Sequence, residues 1–456
     1  MLIACVDFGS TFTKAALVDV MTGTLVASAS HRTTLGTDVL DGWETCLRQL
    51  AAARPEAAEA ELLACSSAGG GLRIAVVGNE RLVTAEAGRR VALSSGGGVV
   101  HVSSGPLTRA SLGSLADSAP DVVLLVGGTN GGNTEVLLSC SRALAAAPWP
   151  GPVVVAGNVD AQREISDLFG RSQTPFVLAD NVVPQIGVLE PQSAREAIRE
   201  MFVRHVIGGK HLSQRADFAA MVKGATPDVV LTAVELLSHG LDEERPGAGD
   251  VVVVDVGGAT TDVHSVLEID PEDSVLARQV VATVPVTRTV EGDLGMRTSA
   301  VSAVEAAVAA GVLSPEEGRS LSAAARVRRA DPAFLPDNAE DSRHDERIAS
   351  AAVTLALRRH AGRQQVAFGP DGRVVERTGK DLREVDLLVG SGGVLRNNPD
   401  EVTDRIVAVA MAEENDGWQL PRAPRVVVDR DYVLAPAGLL AEKYPEAAYR
   451  LLLSML

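Results

Sequence analysis

Aromatic residues are scarce in this chain of 456: three Trp, three Tyr and eight Phe. At roughly 150 residues per domain the length accommodates two or three domains, so their cores must be filled by Ala, Val and Leu. Cysteine is scarcer still. Cys5, Cys46, Cys65 and Cys140 stand far apart, with no Cys-x-x-Cys pair and no histidine at ligand spacing. That excludes an evident zinc site and matches buried, reduced thiols. Long hydrophobic runs are missing, and none approaches the ~18 uncharged residues of a membrane span. The opening Met1-Leu-Ile-Ala-Cys-Val-Asp7 has no basic segment and meets an acid too soon for a signal peptide. A soluble, cytoplasmic protein is expected. Positive charge is in deficit, 42 Lys plus Arg against 59 Asp plus Glu, a net charge of −17. Neither nucleic acid nor an anionic membrane is expected as a partner, because either requires clustered cations.

What remains is 46% hydrophobic and 22% charged, an ordinary globular composition. Short Val-rich runs end in Gly or Asp: Leu2–Val6, Val122–Val126, Val153–Ala156, Val251–Val254 and Leu387–Val389. Such runs read as strands buried on both faces. Between them lie stretches of helical spacing: Trp43–Ala53, Thr134–Ala147, Ser193–His205, Thr226–His239, Ser299–Ala310 and Glu346–His360. The alternation predicts an α/β fold.

An internal echo refines this. Ile3-Ala-Cys-Val-Asp7-Phe-Gly9-Ser-Thr11 recurs in kind as Val251-Val-Val-Val-Asp255-Val-Gly257-Gly-Ala259-Thr260. Each is followed by a second apolar stretch and a polar turn, Asp19–Thr24 and Asp270–Ser274, which reads as a β-hairpin whose first turn carries Asp-x-Gly. A second echo pairs Leu124-Leu-Val-Gly127-Gly128-Thr129 with Leu388-Val-Gly390-Ser-Gly392-Gly393. Two similar domains, related by a pseudo-twofold with a cleft between them, are expected. The boundary falls between Thr226 and Asp250, where a helix leads into the polar Glu243–Asp250 connection. The first domain takes residues 1–225, with 424–456 packing back on it; the second takes 226–423, with an insertion around 288–385. Ser314–Arg343, rich in charge and proline, reads as irregular and exposed.

Glycine at positions 9, 257 and 258 lets backbone N–H groups approach an anion, and Ser10, Thr11, Thr260 and Thr261 add hydroxyls. No Walker A sequence occurs. Two such turns can grip one di- or triphosphate. Asp7, Asp255 and Asp262 then suit a Mg²⁺ that keeps most of its waters; a turn-capping aspartate is the bland alternative. Lys14, rare as a lysine and set within an apolar stretch, invites a phosphate contact. Gly69–Gly71 and Gly96–Gly98 lack a strand-Asp context and read as loops. Glu291-Gly-Asp293 places two acids around a glycine, and Arg358-Arg359-His360 reads as a basic helix end that complements its own dipole.

The Asp7, Asp255–Asp262 and Val389–Gly393 segments resemble the phosphate-1, phosphate-2 and adenosine motifs of the actin, sugar-kinase and heat-shock-chaperone ATPase superfamily. Thr226–Gly240 and Ala435-Pro-Ala-Gly438 resemble its two connecting elements. The resemblance implies two actin-like (ribonuclease H-like) ATPase domains. It also implies ATP held by Gly9, Ser10, Thr11, Lys14, Gly257, Gly258, Ala259, Thr260 and Gly390, Ser391, Gly392, Gly393, with Mg²⁺ at Asp7 and Asp255. Asp255, then Asp262, are the catalytic candidates. Within the superfamily the chain is similar, nearly end to end, to glutamate mutase accessory proteins of the GlmL (MutL) type. The segments that carry this are Val6–Lys14, Cys65–Leu72, Leu125–Asn133, Ala156–Asp160, Asp180–Pro184, Thr289–Arg297 and Gly390–Val394. This similarity implies a slow, Mg-dependent ATPase that reactivates an adenosylcobalamin-dependent carbon-skeleton mutase. A small-molecule kinase and a filament-forming actin relative are the alternatives. Asp262-Val-His264-Ser-Val-Leu267 begins like a cobalamin-binding Asp-x-His-x-x-Gly but lacks its glycine, so direct binding of cobalamin is not expected and His264 reads as a packed strand residue.

Overall fold

In a computed structural model the described residues are 1–456 except 70, 81–82, 148–150, 216–217, 269–283, 370–371 and 412–416, with side chains omitted at 365–378. The expected polar turn Asp270–Ser274 and the middle of Gly69–Gly71 lie outside them. The chain forms two compact units, one of Met1–Ala233 with Ala435–Arg450, the other of most of Val234–Leu434 with Leu451–Leu456. The division falls inside the helix Thr226–His239.

The first unit opens with β1 (Leu2–Phe8), β2 (Phe12–Asp19), β3 (Thr24–Arg32) and β4 (Glu61–Ser66). Six of the seven residues of β1 are buried, as its unbroken apolar sequence demands of a central strand. Before returning to this sheet the chain builds another, from β5 (Leu72–Gly78), β6 (Gly97–Ser104), β7 (Val122–Leu125), β8 (Val153–Val155) and β9 (Phe176–Leu178). These five are all parallel, in spatial order β6-β5-β7-β8-β9. Alternate residues serve two cores: Ile74 and Val76 pack with the first sheet's apolar side chains, whereas Ala75 and Val77 pack with Leu137, Leu144 and Phe169. Then β10 (Val222–Ala225) joins the first sheet, giving the order β10-β4-β1-β2-β3.

The second unit repeats that order. Its strands are β11 (Val251–Val256), β12 (Thr261–Val266), β13 (Val286–Glu291), β14 (Leu387–Ser391) and β15 (Arg425–Val428), arranged β15-β14-β11-β12-β13. In both sheets the first three strands are antiparallel neighbours and the last two join in parallel. This is the mixed-sheet α/β fold of the actin-like, ribonuclease H-like class, occurring twice.

Two expectations are overturned. The echo between Gly127-Gly128 and Gly390–Gly393 is not structural: β7 belongs to the separate parallel sheet, and the counterpart of β14 is β4, which pairs with β1 as β14 pairs with β11. Nor is Ser314–Arg343 irregular throughout. Pro315–Ala330 is a helix because its proline sits at the first helical position, and Ser314 and Glu317 form a reciprocal capping box. The 22-residue helix Ala339–His360 starts on Asn338, whose Oδ1 accepts from the N–H groups of Glu340 and Asp341. Its charges follow the macrodipole, acids first and Arg358, Arg359 and His360 last. No helix among the described residues is long and apolar enough to cross a membrane.

Candidate functional site

Both mixed sheets carry the same turn at the same place. The Gly9 N–H donates to Phe12 O at 3.1 Å, and the Gly257 N–H to Thr260 O at 2.9 Å. A Cβ on Gly9 would lie 2.6 Å from Phe12 O and one on Gly257 2.8 Å from Thr260 O, so each turn closes only around glycine. Across the hairpins Asp7 faces Lys14 and Asp255 faces Asp262.

In the first unit Asp7 is buried at the end of β1, where Thr226 Oγ1 donates to its Oδ1 at 2.5 Å. The Cys65 Sγ lies 3.7 Å from the same oxygen. Burial, and then the Asp7 charge, push the Cys65 thiol far above its ordinary pKa, so it stays protonated. The back of the turn is fastened to the residue after β3: Thr33 Oγ1 donates to Gly9 O at 2.7 Å and Thr33 N–H to Thr11 O at 2.9 Å. Ser10 and Thr11 are exposed and Lys14 is half-buried. Beside this turn β4 runs into Ser67 and Ala68, whose N–H groups both donate to Phe8 O. Gly69 and Gly71 follow with φ of +71° and +70°. Read as a loop without context, this glycine run thus directly follows the strand paired with the Asp7 strand.

In the second unit the loop after β13 backs the turn. Met296 N–H donates to Gly257 O at 2.9 Å, Arg297 N–H to Gly258 O at 2.7 Å, and Thr261 Oγ1 to Leu294 O at 2.8 Å. A Cβ on Gly295 would lie 2.5 Å from the Ala259 carbonyl carbon. With those carbonyls engaged, the N–H groups of Gly258 and Ala259 have no backbone acceptor among the described residues. Asp255 is half-buried at the end of β11 and pairs in register with Ser391 of β14. There Gly392 has φ of +94° and fits against the Val256 backbone, where a Cβ would meet Val256 O at 2.2 Å. Asp255, Gly257–Thr260, Glu291–Arg297 and Gly390–Gly393 therefore share one end of one sheet.

Asp262 is more committed than the sequence indicates. One carboxylate oxygen accepts from Arg288 Nε at 3.1 Å and Nη2 at 2.6 Å, and the other accepts from Thr260 Oγ1 at 3.2 Å. His264 is buried on β12 below this pair, and burial, with Arg288 adding to it, lowers its pKa to about 3. Arg359 joins the two acids that the sequence left apart, donating Nη1 to Glu291 Oε2 at 2.7 Å and to Asp293 Oδ1 at 2.6 Å. It holds the Asp293 pKa down, while burial raises that of Glu291. Sequence reasoning missed Thr226, Arg288 and the Arg359 bridge, since each lies far along the chain from its partner; only Thr226, placed just before a proline at a helix start, carried any local signal. Among the described residues no group of three or more His, Cys, Asp or Glu side chains is arranged to hold a metal ion.

The family model described as MutL protein matches residues 3–456 of this chain. The chain belongs to the MutL protein family. A curated member, "Protein MutL" of Clostridium tetanomorphum, is 35% identical over 454 residues, spanning 98% of this chain and 97% of the relative. Among solved structures, nucleotide-free acetone carboxylase has a TM-score of 0.41 at 14% identity, covering 97% of this chain and 70% of its own. The activator of 2-hydroxyisocaproyl-CoA dehydratase from Clostridium difficile, with bound ADPNP, has a TM-score of 0.32 at 10% identity, covering 98% and 96%. Both are too distant to bear on ligands. The MutL-like segments fall in two places. Val6–Lys14, Cys65–Leu72, Thr289–Arg297 and Gly390–Val394 lie at the turn-bearing ends of the mixed sheets. Leu125–Asn133, Ala156–Asp160 and Asp180–Pro184 follow β7, β8 and β9, and are locked together. There Asn181 Nδ2 donates to Gly128 O at 2.9 Å, Asn158 Nδ2 to Gly132 O at 3.2 Å, and Gly131 N–H to Asp160 Oδ2 at 2.9 Å.

Proposed function

We propose that this MutL-family chain is an ATP-dependent, chaperone-like reactivating factor for an adenosylcobalamin-dependent carbon-skeleton mutase of the glutamate mutase type. The observation that carries the ATPase part is the duplicated Asp-x-Gly turn, with one hydrogen-bond pattern on two sheets of one strand order. Such duplication has a purpose if both turns engage the same phosphate chain. On this reading the amides around Gly9, Gly257, Gly258 and Ala259 bind phosphate oxygens, with the hydroxyls of Ser10, Thr11 and Thr260 and the Lys14 ammonium. The adenosine lies against Gly390–Gly393.

Asp7 and Asp255 are the residues that would hold a Mg²⁺ entering with phosphate. When bound, the ion neutralises phosphate charge. Asp255 orients the attacking water. Asp262, tied to Arg288 and Thr260, positions rather than accepts the proton. Phosphoryl transfer is governed by positioning and charge, so slow turnover follows naturally.

The mutase part is supported by MutL-family membership. An ATPase can drive release of a damaged cofactor only if its ATP and ADP states bind the mutase with different free energies. The test is to add the protein with ATP, Mg²⁺ and fresh adenosylcobalamin to an inactivated glutamate-type mutase. Recovery of activity is expected with wild type and not with Asp255→Asn, for which calorimetry is expected to show nucleotide binding retained. Stoichiometric phosphorylation of a metabolite, with the mutase left inactive, would establish a kinase instead.

A further inference from the structure

Two arginines share one buried carboxylate behind the second glycine turn, and the cluster they form runs from that turn to the surface. Arg297 is bonded to the turn through its backbone N–H, given to Gly258 O at 2.7 Å. Its guanidinium donates from Nε to Phe334 O at 2.9 Å and from Nη2 to Asp345 Oδ2 at 3.0 Å. The other Asp345 oxygen accepts from Arg328 Nε, and the Arg328 side chain is wholly buried. Arg328 also gives Nη1 to Ala324 O at 3.0 Å and Nη2 to Asp341 O at 2.8 Å. Both guanidiniums lie against the Phe334 ring, at 5.8 Å for Arg297 and 4.6 Å for Arg328. The next residue, Leu335, is 78% exposed, and Val327, adjacent to Arg328, is 52% exposed.

Charge-assisted hydrogen bonds between planar groups tolerate little displacement, and packed interiors shift between discrete arrangements rather than yielding smoothly. A movement of the Gly258 carbonyl reaches Arg297 through its backbone N–H, and one larger than the side-chain torsions take up carries the Phe334 carbonyl and Asp345 with it or breaks their bonds. The segment Asp331–Asn338, between the helices Pro315–Ala330 and Ala339–His360, is neither helix nor strand.

We propose that Arg297 couples occupancy of the Gly257–Thr260 turn to the surface segment Asp331–Asn338, so that the segment displays the nucleotide state to a partner. The proposal rests on nucleotide binding at that turn. Hydrogen exchange followed by mass spectrometry on the full chain, with and without Mg-ATP, tests both separately. In wild type, peptides over 257–260 are protected by the nucleotide, and exchange in 331–338 changes by about fivefold or more, the low end of ordinary coupling between sites. In Asp345→Asn, which keeps the shape but removes the shared charge, the turn is still protected and 331–338 no longer responds. Phe334→Leu serves if that variant does not fold and is expected to lose the response likewise. Protection at 257–260 with no change at 331–338 in wild type, or an undiminished response in a folded variant, overturns the coupling. No protection at the turn overturns the nucleotide reading, and the coupling with it.

Discussion

Replacing Thr226 by valine removes a hydroxyl and nothing else of size. Thr226 is 9% exposed, and its Oγ1 donates to the buried Asp7 carboxylate at 2.5 Å. A hydrogen bond to a charged group is worth about 1.5–3 kcal/mol. Valine preserves the branched shape, so no cavity offsets or inflates the loss. Serine keeps the hydroxyl and gives up one methyl, at about 0.8 kcal/mol. The expected order of stability is therefore wild type, then Thr226→Ser, then Thr226→Val, with the two variants in the reverse of the order that hydrophobicity alone dictates. At about 2 kcal/mol the valine variant shifts the unfolding equilibrium of its unit roughly 30-fold, since 1.4 kcal/mol is about tenfold. Urea titration read by tryptophan fluorescence in a Trp418→Phe background resolves this, because Trp43 falls in the first unit and Trp418 in the second. A valine variant as stable as the serine one would show that the Asp7 carboxylate does not depend on Thr226, and would remove the link between β1 and the helix Thr226–His239.

Three further outcomes are expected. Arg328→Met, which strips one partner from Asp345 inside the protein, costs about 3 kcal/mol by thermal or denaturant melting; a loss below about 1 kcal/mol would show the ion pair to be incidental. Gly392→Ala costs about 3 kcal/mol, from its φ of +94° and a Cβ contact of 2.2 Å with Val256 O, whereas Gly36→Ala, with open space around it, is neutral. Stability falls as pH drops below about 6.5. A histidine whose folded pKa is depressed binds its proton first in the unfolded chain, so lowering the pH favours unfolding. For His264, with its folded pKa near 3, the loss reaches about 2 kcal/mol at pH 5. His360, also lowered by burial, adds in the same direction, and His264→Asn should flatten the dependence of urea midpoints on pH.

The hairpins bearing Asp7 and Asp255 were legible because their signal is local: an apolar strand, an aspartate and a glycine that nothing larger can replace. Gly390–Gly393 was legible for the same reason. The parallel sheet was not, since β8 and β9 are three residues each and the Gly127-Gly128 end of β7 imitates that of β14. Strand order is a property of pairing, and pairing leaves no trace in a three-residue run. Pro315–Ala330 was misread because proline and charge were weighed without their position; at a helix start both favour the helix. The Arg359 bridge to Glu291 and Asp293 and the Arg288 clamp on Asp262 join residues far apart in sequence, where composition offers no guide to who meets whom.

The helix Leu434–Leu440 meets the helix Thr226–His239 so closely that a Cβ on Gly438 would lie 2.0 Å from Val229 O. Nearby, Lys443 pairs with Glu61, and a Cβ on Gly23 would meet Arg450. These late residues belong to the first unit, yet a ribosome delivers them only after most of the second unit has been made. The first unit thus waits, unfinished, through the synthesis of most of the second, exposing the surfaces around Val229 and Glu61 that Ala435–Arg450 will cover. Both units are closed only by the end of the chain, the first by Ala435–Arg450 and the second by Leu451–Leu456, so shortening it damages both.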